Sequence, residues 1–486
     1  MERFDCIIIG GGVVGAAIFR EMTRFSWRVA LLEAASDLAS GTSGRNSGVL
    51  HAGFNCPTGQ LRTELCVAGC KEYPALAAAL DVPFVATGKL VTALTPDDLP
   101  GMEKLYNVGL KNGCAGLSII DGDGIRARES HVDGIAALCS DATGVTNPFL
   151  LTIALGESAV QNGGQLYLQH NVTALERRAD GWLVRAGDAQ FHTRWVINCA
   201  GLYADEVARM AGIDEYHIYP CRGEYYILDK RLAGLLGRPV YPVPNPKIGG
   251  LGVHLTITVE GSVLVGPSAE YIDTRDDYAT TRPVMEQLYA EAKALFPPIT
   301  TGDFIRCYAG IRPKLTSPTQ GGFGDFVIER RDDKPGFVNL VGIESPGLTS
   351  SGPIARMVAG LIDEKENLQR KGDWIATRKG IARFAVADAQ QQRQLIAADP
   401  DYGRIMCRCE QVTAAEIKQA LANPFGVRTL AAVKNRTHAM TGRCQGGYCM
   451  ARIVTLMQEA GVPLNEIRER EPGSEWFTGH VRGVEL

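Results

Sequence analysis

Four cysteines near the C-terminus have the spacing of a ligand set. They form two pairs, separated by 34 residues: Cys407, Cys409, Cys444 and Cys449. Two such pairs can close a four-thiolate site, and a chain without a secretory signal favours metal binding over disulfide bonds. A capping-box pattern at residues 413–416 predicts a helix directly after the first pair. Helix N-termini stabilise thiolates, but the spacing alone leaves a zinc ion and an iron-sulfur cluster equally open.

A glycine-rich turn lies at the other end of the chain. Residues 4–9 predict a short buried strand, and Gly10-Gly-Gly12-Val-Val-Gly15 then leads into a helix that ends near residue 24. Gly10 permits a tight turn, Gly12 lets the backbone approach a pyrophosphate, and Gly15 lets helix and strand pack closely. The helix N-terminus favours the phosphate anion. The pattern predicts a dinucleotide site, although a lone glycine turn can serve packing alone.

An acidic residue, Glu33, ends the next predicted strand at residues 28–32. Its carboxylate can accept hydrogen bonds from the ribose hydroxyls of an adenosine, and its charge repels a 2'-phosphate, which disfavours NADP. The turn and Glu33 together do not separate FAD from NAD.

A polar, glycine-dense loop at residues 41–53 contains a histidine, His51. Such loops bind ligands because their backbone is free to donate, and an ordinary surface loop is the alternative interpretation. Dinucleotides are commonly redox cofactors, and in such a site a base takes the proton of a hydroxyl or amine while a hydride leaves carbon, so a histidine in this loop is a natural candidate for the base. His51 is the first candidate and His254 the second. Either can instead be a satisfied histidine of the core.

Composition excludes several classes of function. With 45% hydrophobic residues, 21% charged residues and a net charge of -4, the chain lacks the basic excess of a nucleic-acid binder. No apolar run reaches the roughly 18 residues of a membrane span, so we expect membrane contact only through a partner. Thirteen cysteines without a signal peptide argue against a disulfide framework. We expect a cytoplasmic protein, peripheral to the inner membrane at most through partners.

The loop around His51 resembles the D-amino-acid-oxidase-like flavoproteins, in which such a loop lies beside the isoalloxazine ring. Its Asn-Ser-Gly-Val-Leu-His-Ala-Gly stretch resembles L-2-hydroxyglutarate dehydrogenases and glycerol-3-phosphate dehydrogenases of the anaerobic A-subunit type. Segments around residues 172, 196–202 and 342–349 extend the resemblance, which implies FAD rather than NAD. The cofactor-binding residues that we expect are Gly10, Gly12, Gly15, Glu33, Thr42, Ser43, Arg45, Asn46, Ser47, Val172, Ala200, Gly201, Gly342, Gly347, Leu348 and Thr349.

The same resemblance implies an anionic substrate. Arg312 matches the family position at which an arginine meets the anionic end of the substrate, and a guanidinium suits carboxylate or phosphate geometry. Arg222 and Glu224 are further candidates for this pocket, with surface salt-bridging as their alternative. The overall layout favours sn-glycerol 3-phosphate, whereas the contexts of His51 and His254 favour a 2-hydroxy acid. Amine, imino-acid or opine oxidation, and an electron-transfer subunit with a non-catalytic flavin, remain alternatives.

The C-terminal cysteines lie in a segment that resembles the bacterioferritin-associated-ferredoxin type of [2Fe-2S] domain. The matching stretches are Cys-Arg-Cys-Glu-Gln-Val-Thr and Thr-Gly-Arg-Cys-Gln-Gly-Gly-Tyr-Cys. The resemblance implies a [2Fe-2S] cluster rather than zinc. It also implies that electrons leave through this cluster to an electron-accepting partner subunit and finally to quinone.

The resemblance implies a domain organisation in which two domains interleave. We expect an α/β protein (α+β overall), with a Rossmann-like FAD-binding domain at residues 1–80, 145–212 and 325–365. A mixed-sheet substrate domain is expected at 81–144 and 213–324, where period-two stretches such as 223–228 and 253–265 predict strands. A linker at 366–403 and a small helical iron-sulfur domain at 404–486 complete the prediction.

Overall fold

The computed structural model describes residues 1–244 and 252–477. The chain divides into two compact units, one formed by Met1–Ala34 and Leu38–Arg378 and the other by Ala35–Asp37 and Lys379–Leu486. Residues 245–251 of the predicted substrate domain and residues 478–486 of the predicted iron-sulfur domain lie outside the described residues. Among the described residues, no helix combines the length and the apolar character that crossing a bilayer requires.

An eight-stranded sheet forms one layer of the first unit. At its centre Glu2–Ile9 runs parallel to Val29–Leu32 on one side and to Ala189–Asn198 on the other. The apolar run at residues 6–9 is buried throughout, as strands covered on both faces are. The remaining strands are Gln165–Tyr167, Val172–Arg178, Gly181–Ala186, Val327–Arg330 and Phe337–Val341. The two strands predicted beside the glycine turn are thus found within one or two residues of their expected bounds.

Helices pack on this sheet. Val13–Met22 follows the glycine turn and contacts both Pro148–Gln161 and Gly347–Glu366. It can start this close to the first strand because Gly15 has no side chain, since a Cβ there would overlap the carbonyl oxygen of Gly10. Leu61–Leu80 and Ala204–Met210 are further helices of this unit.

A nine-stranded mixed sheet forms the other layer of the first unit. Its longest pair is antiparallel, Tyr219–Leu228 with Phe304–Lys314, and Val240–Pro242 runs parallel to Leu90–Ala93. Its other strands are Leu117–Asp121, Ala136–Ser140, His254–Ile257, Val263–Gly266 and Glu270–Tyr271. Helices Leu99–Lys111, Gly122–Arg128 and Arg282–Leu295 belong to the same part of the chain, and a small separate sheet joins Val49–Leu50, Phe84–Val85 and Gly144–Thr146. The chain alternates between the two large sheets along its sequence.

The second unit is small and mainly helical. Its helices are Ala389–Ala398, Ala414–Leu421, Leu430–Thr437 and Met450–Glu459, and its two short strands are Ile405–Cys407 and Val412–Thr413. Thr413 caps the helix after the first cysteine pair, with the reciprocal Glu416 contact of a capping box, as the sequence predicts. The boundary between the units falls inside the predicted linker, which contains the helix Ala389–Ala398 and is therefore partly structured.

Candidate functional site

A cavity of about 1380 Å³ in the first unit is lined by residues of both large sheets. This volume exceeds that of a site for a drug-sized ligand and suits a dinucleotide together with a small substrate. The structure brings most of the predicted site residues to its wall: Gly10, Gly12, Glu33, Thr42, Ser43, Arg45, Asn46, Ser47, His51, Val172, Ala200, Gly201, His254, Arg312, Gly342, Gly347 and Leu348.

The glycine turn and its neighbours form a fixed cradle at one end of the cavity. Gly10 has a φ of +108°, a conformation that side chains other than hydrogen rarely adopt. The Glu33 carboxylate accepts a hydrogen bond from the Gly11 N–H at 2.5 Å, and the Ser43 hydroxyl accepts one from the Val13 N–H at 2.8 Å. These contacts fix the acid beside the turn and a hydroxyl on the helix N-terminus, where a pyrophosphate binds in this motif.

The loop that contains His51 runs along the strand Phe304–Lys314. Thr42 donates a hydrogen bond to the Ile311 carbonyl at 2.7 Å, and a Cβ on Gly310 would overlap the Arg45 carbonyl oxygen. The His51 N–H donates to the Thr349 hydroxyl at 3.0 Å. The Thr349 hydroxyl thus fixes the His51 backbone, which gives the loop the support that a positioned base requires. Thr349 is not among the residues that line the cavity, and its role in cofactor binding stays a prediction.

The two candidate bases are both held neutral by their surroundings. Burial, with Lys89 as the second cause, lowers the pKa of His51 to about 3. Burial also lowers the pKa of His254 well below its ordinary value, although a hydrogen bond to the Gly252 carbonyl, at 3.0 Å from Nδ1, acts in the opposite direction. Because a carbonyl can only accept, His254 Nδ1 must donate to it, which leaves the lone pair on Nε2. Both imidazoles can therefore accept a proton at neutral pH.

Arg312 presents an anion-binding group to the same cavity. Its guanidinium donates to the Ser268 carbonyl at 3.0 Å and to the Cys221 sulfur at 3.7 Å. In the part of the chain that the structure describes, Arg312 has no carboxylate within ion-pair distance. Its positive charge is therefore available to a ligand, and its role in substrate binding stays a prediction.

A buried ion pair next to Arg312 is absent from the sequence prediction. Lys314 lies 3.3 Å from Glu344, both side chains are buried, and both residues line the cavity. Burial raises the pKa of Glu344, while Lys314 and Arg312 act against that rise. Lys314 is two residues after Arg312 on one strand, so strand alternation could have placed it on the same face.

Arg222 and Glu224 are not among the residues that line the cavity, and their role in substrate binding stays a prediction. Arg222 pairs with Glu270 at 2.7 Å and Asp277 at 2.6 Å, while the Glu224 carboxylate accepts the Thr281 N–H at 2.6 Å. The physical reason is strand alternation. Along Tyr219–Leu228 the residues that line the cavity are Cys221, Gly223 and Tyr225. Gly15 is also behind the wall, where it serves helix packing.

Lys89 and Tyr241 were missed by sequence reasoning. Lys89 is 2% exposed, and its ammonium nitrogen lies 3.5 Å from the ring centroid of Tyr241. Tyr241 lines the cavity and stacks on His254. The available signal was a lysine directly before an apolar strand, Leu90–Ala93, where solvent exposure is not expected.

The four C-terminal cysteines pair across the two sequence motifs. Cys409 and Cys444 are exposed, with 3.5 Å between their sulfur atoms, and Cys407 and Cys449 are buried. A hydrogen bond from Cys449 lowers the pKa of Cys407 to about 6, and backbone N–H groups at residues 446 and 448 lower that of Cys444. Thiolates paired two and two fit a cluster of two irons, each of which takes two thiolate ligands.

Comparison with known proteins identifies two families in the chain. Residues 5–361 match the model of the FAD dependent oxidoreductase family, and residues 405–459 match the BFD-like [2Fe-2S] binding domain. A glycerol 3-phosphate dehydrogenase from Caloramator mitchellensis is 34% identical over 483 residues, which is 99% of each chain. A mitochondrial L-2-hydroxyglutarate dehydrogenase from Caenorhabditis elegans is 31% identical over 74% of this chain and 93% of its own.

Among solved structures, the dithionite-reduced L-alpha-glycerophosphate oxidase from Mycoplasma pneumoniae with FAD bound is similar to this chain. It superposes with a TM-score of 0.72 at 28% identity, covering 78% of this chain and 99% of its own. The first family model spans well over half of the chain. The chain therefore belongs to the FAD dependent oxidoreductase family, and it is an oxidoreductase that binds FAD in its first unit and a [2Fe-2S] cluster in its C-terminal domain.

Proposed function

We propose that this oxidoreductase is a dehydrogenase of small, anionic secondary alcohols and that its substrate is sn-glycerol 3-phosphate. The observation that carries the proposal is one cavity wall that combines neutral histidines with an arginine available to a ligand anion. His51, His254 and Arg312 all line this cavity together with the cofactor cradle. When bound, FAD supplies the acceptor for the hydride that leaves the carbinol carbon.

The residues of this wall divide the remaining work. The Arg312 guanidinium binds the phosphate, which orients the secondary hydroxyl towards the histidines. His51 accepts the hydroxyl proton, since its loop is fixed to the strand Phe304–Lys314 and its backbone to Thr349. His254 donates from Nδ1 to the Gly252 carbonyl, so its Nε2 carries a lone pair. This lone pair can accept a hydrogen bond from the same hydroxyl and orient it.

Charge supports a substrate with one anionic group. Of the two cations at the end of the strand Phe304–Lys314, Lys314 is neutralised by Glu344 at 3.3 Å, whereas Arg312 keeps its charge. One available guanidinium matches one phosphate. The full-length similarity to a glycerol 3-phosphate dehydrogenase supports the same choice, because it includes the C-terminal domain.

A second candidate is L-2-hydroxyglutarate or another 2-hydroxy acid. It is favoured by the 31% identity to an L-2-hydroxyglutarate dehydrogenase along 401 residues. A dicarboxylate would need a second cation, which Lys314 could provide only by leaving Glu344. The two candidates therefore make different demands on this buried pair.

We further propose that the electrons leave through the C-terminal cluster to an electron-accepting partner subunit and then to quinone. The exposed position of Cys409 and Cys444 supports this proposal, since it brings one edge of the cluster site to the surface of the second unit. An exposed edge shortens the distance over which an electron must pass to a partner protein.

Anaerobic bleaching of the flavin absorbance by a panel of candidate substrates tests the proposal. The panel contains sn-glycerol 3-phosphate, its enantiomer sn-glycerol 1-phosphate, L-2-hydroxyglutarate, L-lactate, L-proline and an opine. We expect rapid bleaching by sn-glycerol 3-phosphate and none by its enantiomer, which controls for non-specific reduction. Faster bleaching by L-2-hydroxyglutarate would transfer the assignment to the second candidate, and no bleaching by any compound would reject a catalytic flavin.

A further inference from the structure

Lys89 is a buried cation that the proposed reaction does not use. Its ammonium lies 3.5 Å from the ring centroid of Tyr241 and 5.0 Å from that of Phe54. Within residues 1–244 and 252–477 it has no ion-pair partner. Burying an ammonium without a counter-charge is costly, and Lys89 is only 2% exposed. A residue that costs stability in this way requires a functional reason.

Tyr241 connects Lys89 to the cavity. The Tyr241 and His254 rings stack with centroids 3.7 Å apart and an interplanar angle of 11°. An ammonium and an imidazole can lie this close to one ring only on its opposite faces, so the three groups form a stack. Tyr241 and His254 line the cavity, whereas Lys89 lies behind them. Lys89 therefore reaches the candidate bases through a ring and without contact to the substrate.

The groups that face Lys89 set its protonation. Burial lowers the pKa of Lys89 to about 7, and the thiols of Cys56 and Cys66 act in the opposite direction. The other titratable groups around it are Tyr241 and the two histidines, His51 and His254. Near neutral pH the lysine thus changes between a neutral amine and a cation.

The two histidines respond to this charge in the same direction. Burial is the main cause of their lowered pKa values, and Lys89 lowers both further. For His254 the Gly252 carbonyl opposes these effects, while His51 and Arg312 add to them. Lys89 takes up a proton at a higher pH than His51 does, since their pKa values are about 7 and about 3.

We propose that Lys89 is a positioning residue of the active site, which orients the His254 ring through Tyr241 and whose charge keeps His51 and His254 available as proton acceptors in acid. The charge appears as the pH falls below neutrality, which is the range in which an ordinary histidine would be lost as a base. This inference rests on the proposed function, because that function assigns proton transfer to the histidines.

The variant Lys89→Met tests the electrostatic part, since it keeps the length of the side chain and removes its charge. The rate of flavin bleaching by the best substrate is measured from about pH 2 to pH 9 by pH-jump stopped flow, so that the range includes the His51 pKa of about 3. In Lys89→Met we expect the midpoint of the acid limb to rise by about one pH unit. At a pH below both midpoints, this rise corresponds to a rate that is roughly tenfold lower than that of the wild type. Lys89→Arg should return the midpoint towards that of the wild type. Lys111→Met, at an exposed lysine of the same unit, is the matched control.

Thermal stability separates this role from a structural one. In the unfolded chain Lys89 keeps its proton up to about pH 10.5, whereas in the folded protein it loses the proton near pH 7. Between these pH values the unfolded state binds more protons, so the free energy of unfolding rises with pH. Lys89→Met should therefore melt at a higher temperature than the wild type at pH 7 and show less of this rise. A residue needed only for packing would give a lower melting temperature and an unchanged acid limb.

Titration of the imidazoles tests the effect of Lys89 on His51 and His254 independently of turnover. In 13C-histidine-labelled holoprotein without substrate, the His51 and His254 resonances are assigned with His51→Asn and His254→Asn. We expect at least one of the two titration midpoints to rise in Lys89→Met. Unchanged midpoints in a folded, flavin-containing variant would overturn the inference, even if no substrate in the panel bleached the flavin and the proposed function failed.

Discussion

Replacement of Arg312 by alanine is the most direct test of the substrate-binding wall. Two of its contacts are with protein, the Ser268 carbonyl at 3.0 Å and the Cys221 sulfur at 3.7 Å, so the rest of the guanidinium fork can serve a ligand. Truncating one partner of a buried charge pair costs about 2–5 kcal/mol. At about 1.4 kcal/mol per factor of ten, kcat/KM for sn-glycerol 3-phosphate should fall by roughly 30- to 4000-fold.

The assay compares this loss with that for glycerol, which has the same secondary alcohol and no anion. Arg312→Ala should change the already poor kcat/KM for glycerol by less than about threefold, because no charge pair is lost. Arg306→Ala, at an exposed arginine of the same strand, controls for general effects of removing a cation. Arg312→Lys should recover part of the loss, since it keeps the charge but not the fork. Equal losses for both substrates would refute the reasoning, as would full retention of activity.

Two further predictions concern the base and the cluster. His51→Asn should lower kcat at least about 100-fold, and His254→Asn should cost less, with flavin content as the control for folding. Because the pKa of His51 is about 3, wild-type kcat at saturating substrate should stay nearly constant from pH 8 down to pH 5, and an acid limb of kcat near pH 6.5 would contradict a buried, neutral base. Cys444→Ser should remove iron and acid-labile sulfide while FAD stays bound, as metal and flavin analysis can measure; parallel loss of both cofactors would contradict two separate sites.

The parts of the site that the sequence predicts are those encoded within short windows. The glycine turn, Glu33 and the His51 loop each depend on residues less than about 25 positions apart, and all of them reach the cavity. The cysteine pairs are a similar case, because each pair is local and the capping box at Thr413 fixes the helix beside it. Local turns and caps specify their own geometry, so a window of sequence is sufficient to predict them.

The sequence does not show which face of a strand meets the cavity. A window of sequence shows that Arg222 and Glu224 lie on the same face of Tyr219–Leu228, but not which side of the sheet that face is on. Long-range pairing with Phe304–Lys314 decides it, with Gly223 opposite Gly310.

The stack behind His254 depends on a similar distant pairing. Lys89 precedes the strand Leu90–Ala93, which pairs in parallel with Val240–Pro242 and places Val91 opposite Tyr241. Residues about 150 positions apart thus meet, and no local pattern encodes that contact. The charge of Lys89 is visible in the sequence, whereas its burial against an aromatic ring is a property of the assembled sheet.

The charges around the candidate bases give the substrate anion a second role. In many hydrolytic sites a carboxylate beside the histidine raises its basicity, whereas here the neighbours of His254 include the cations Lys89 and Arg312, which lower its pKa. An anion bound to Arg312 would offset that charge and make His254, which orients the substrate hydroxyl beside the base His51, a stronger hydrogen-bond acceptor. Neutral alcohols such as glycerol would leave His254 a weak acceptor. The anionic group should therefore contribute to kcat as well as to KM, as expected when binding energy remote from the reacting bond is used in the transition state.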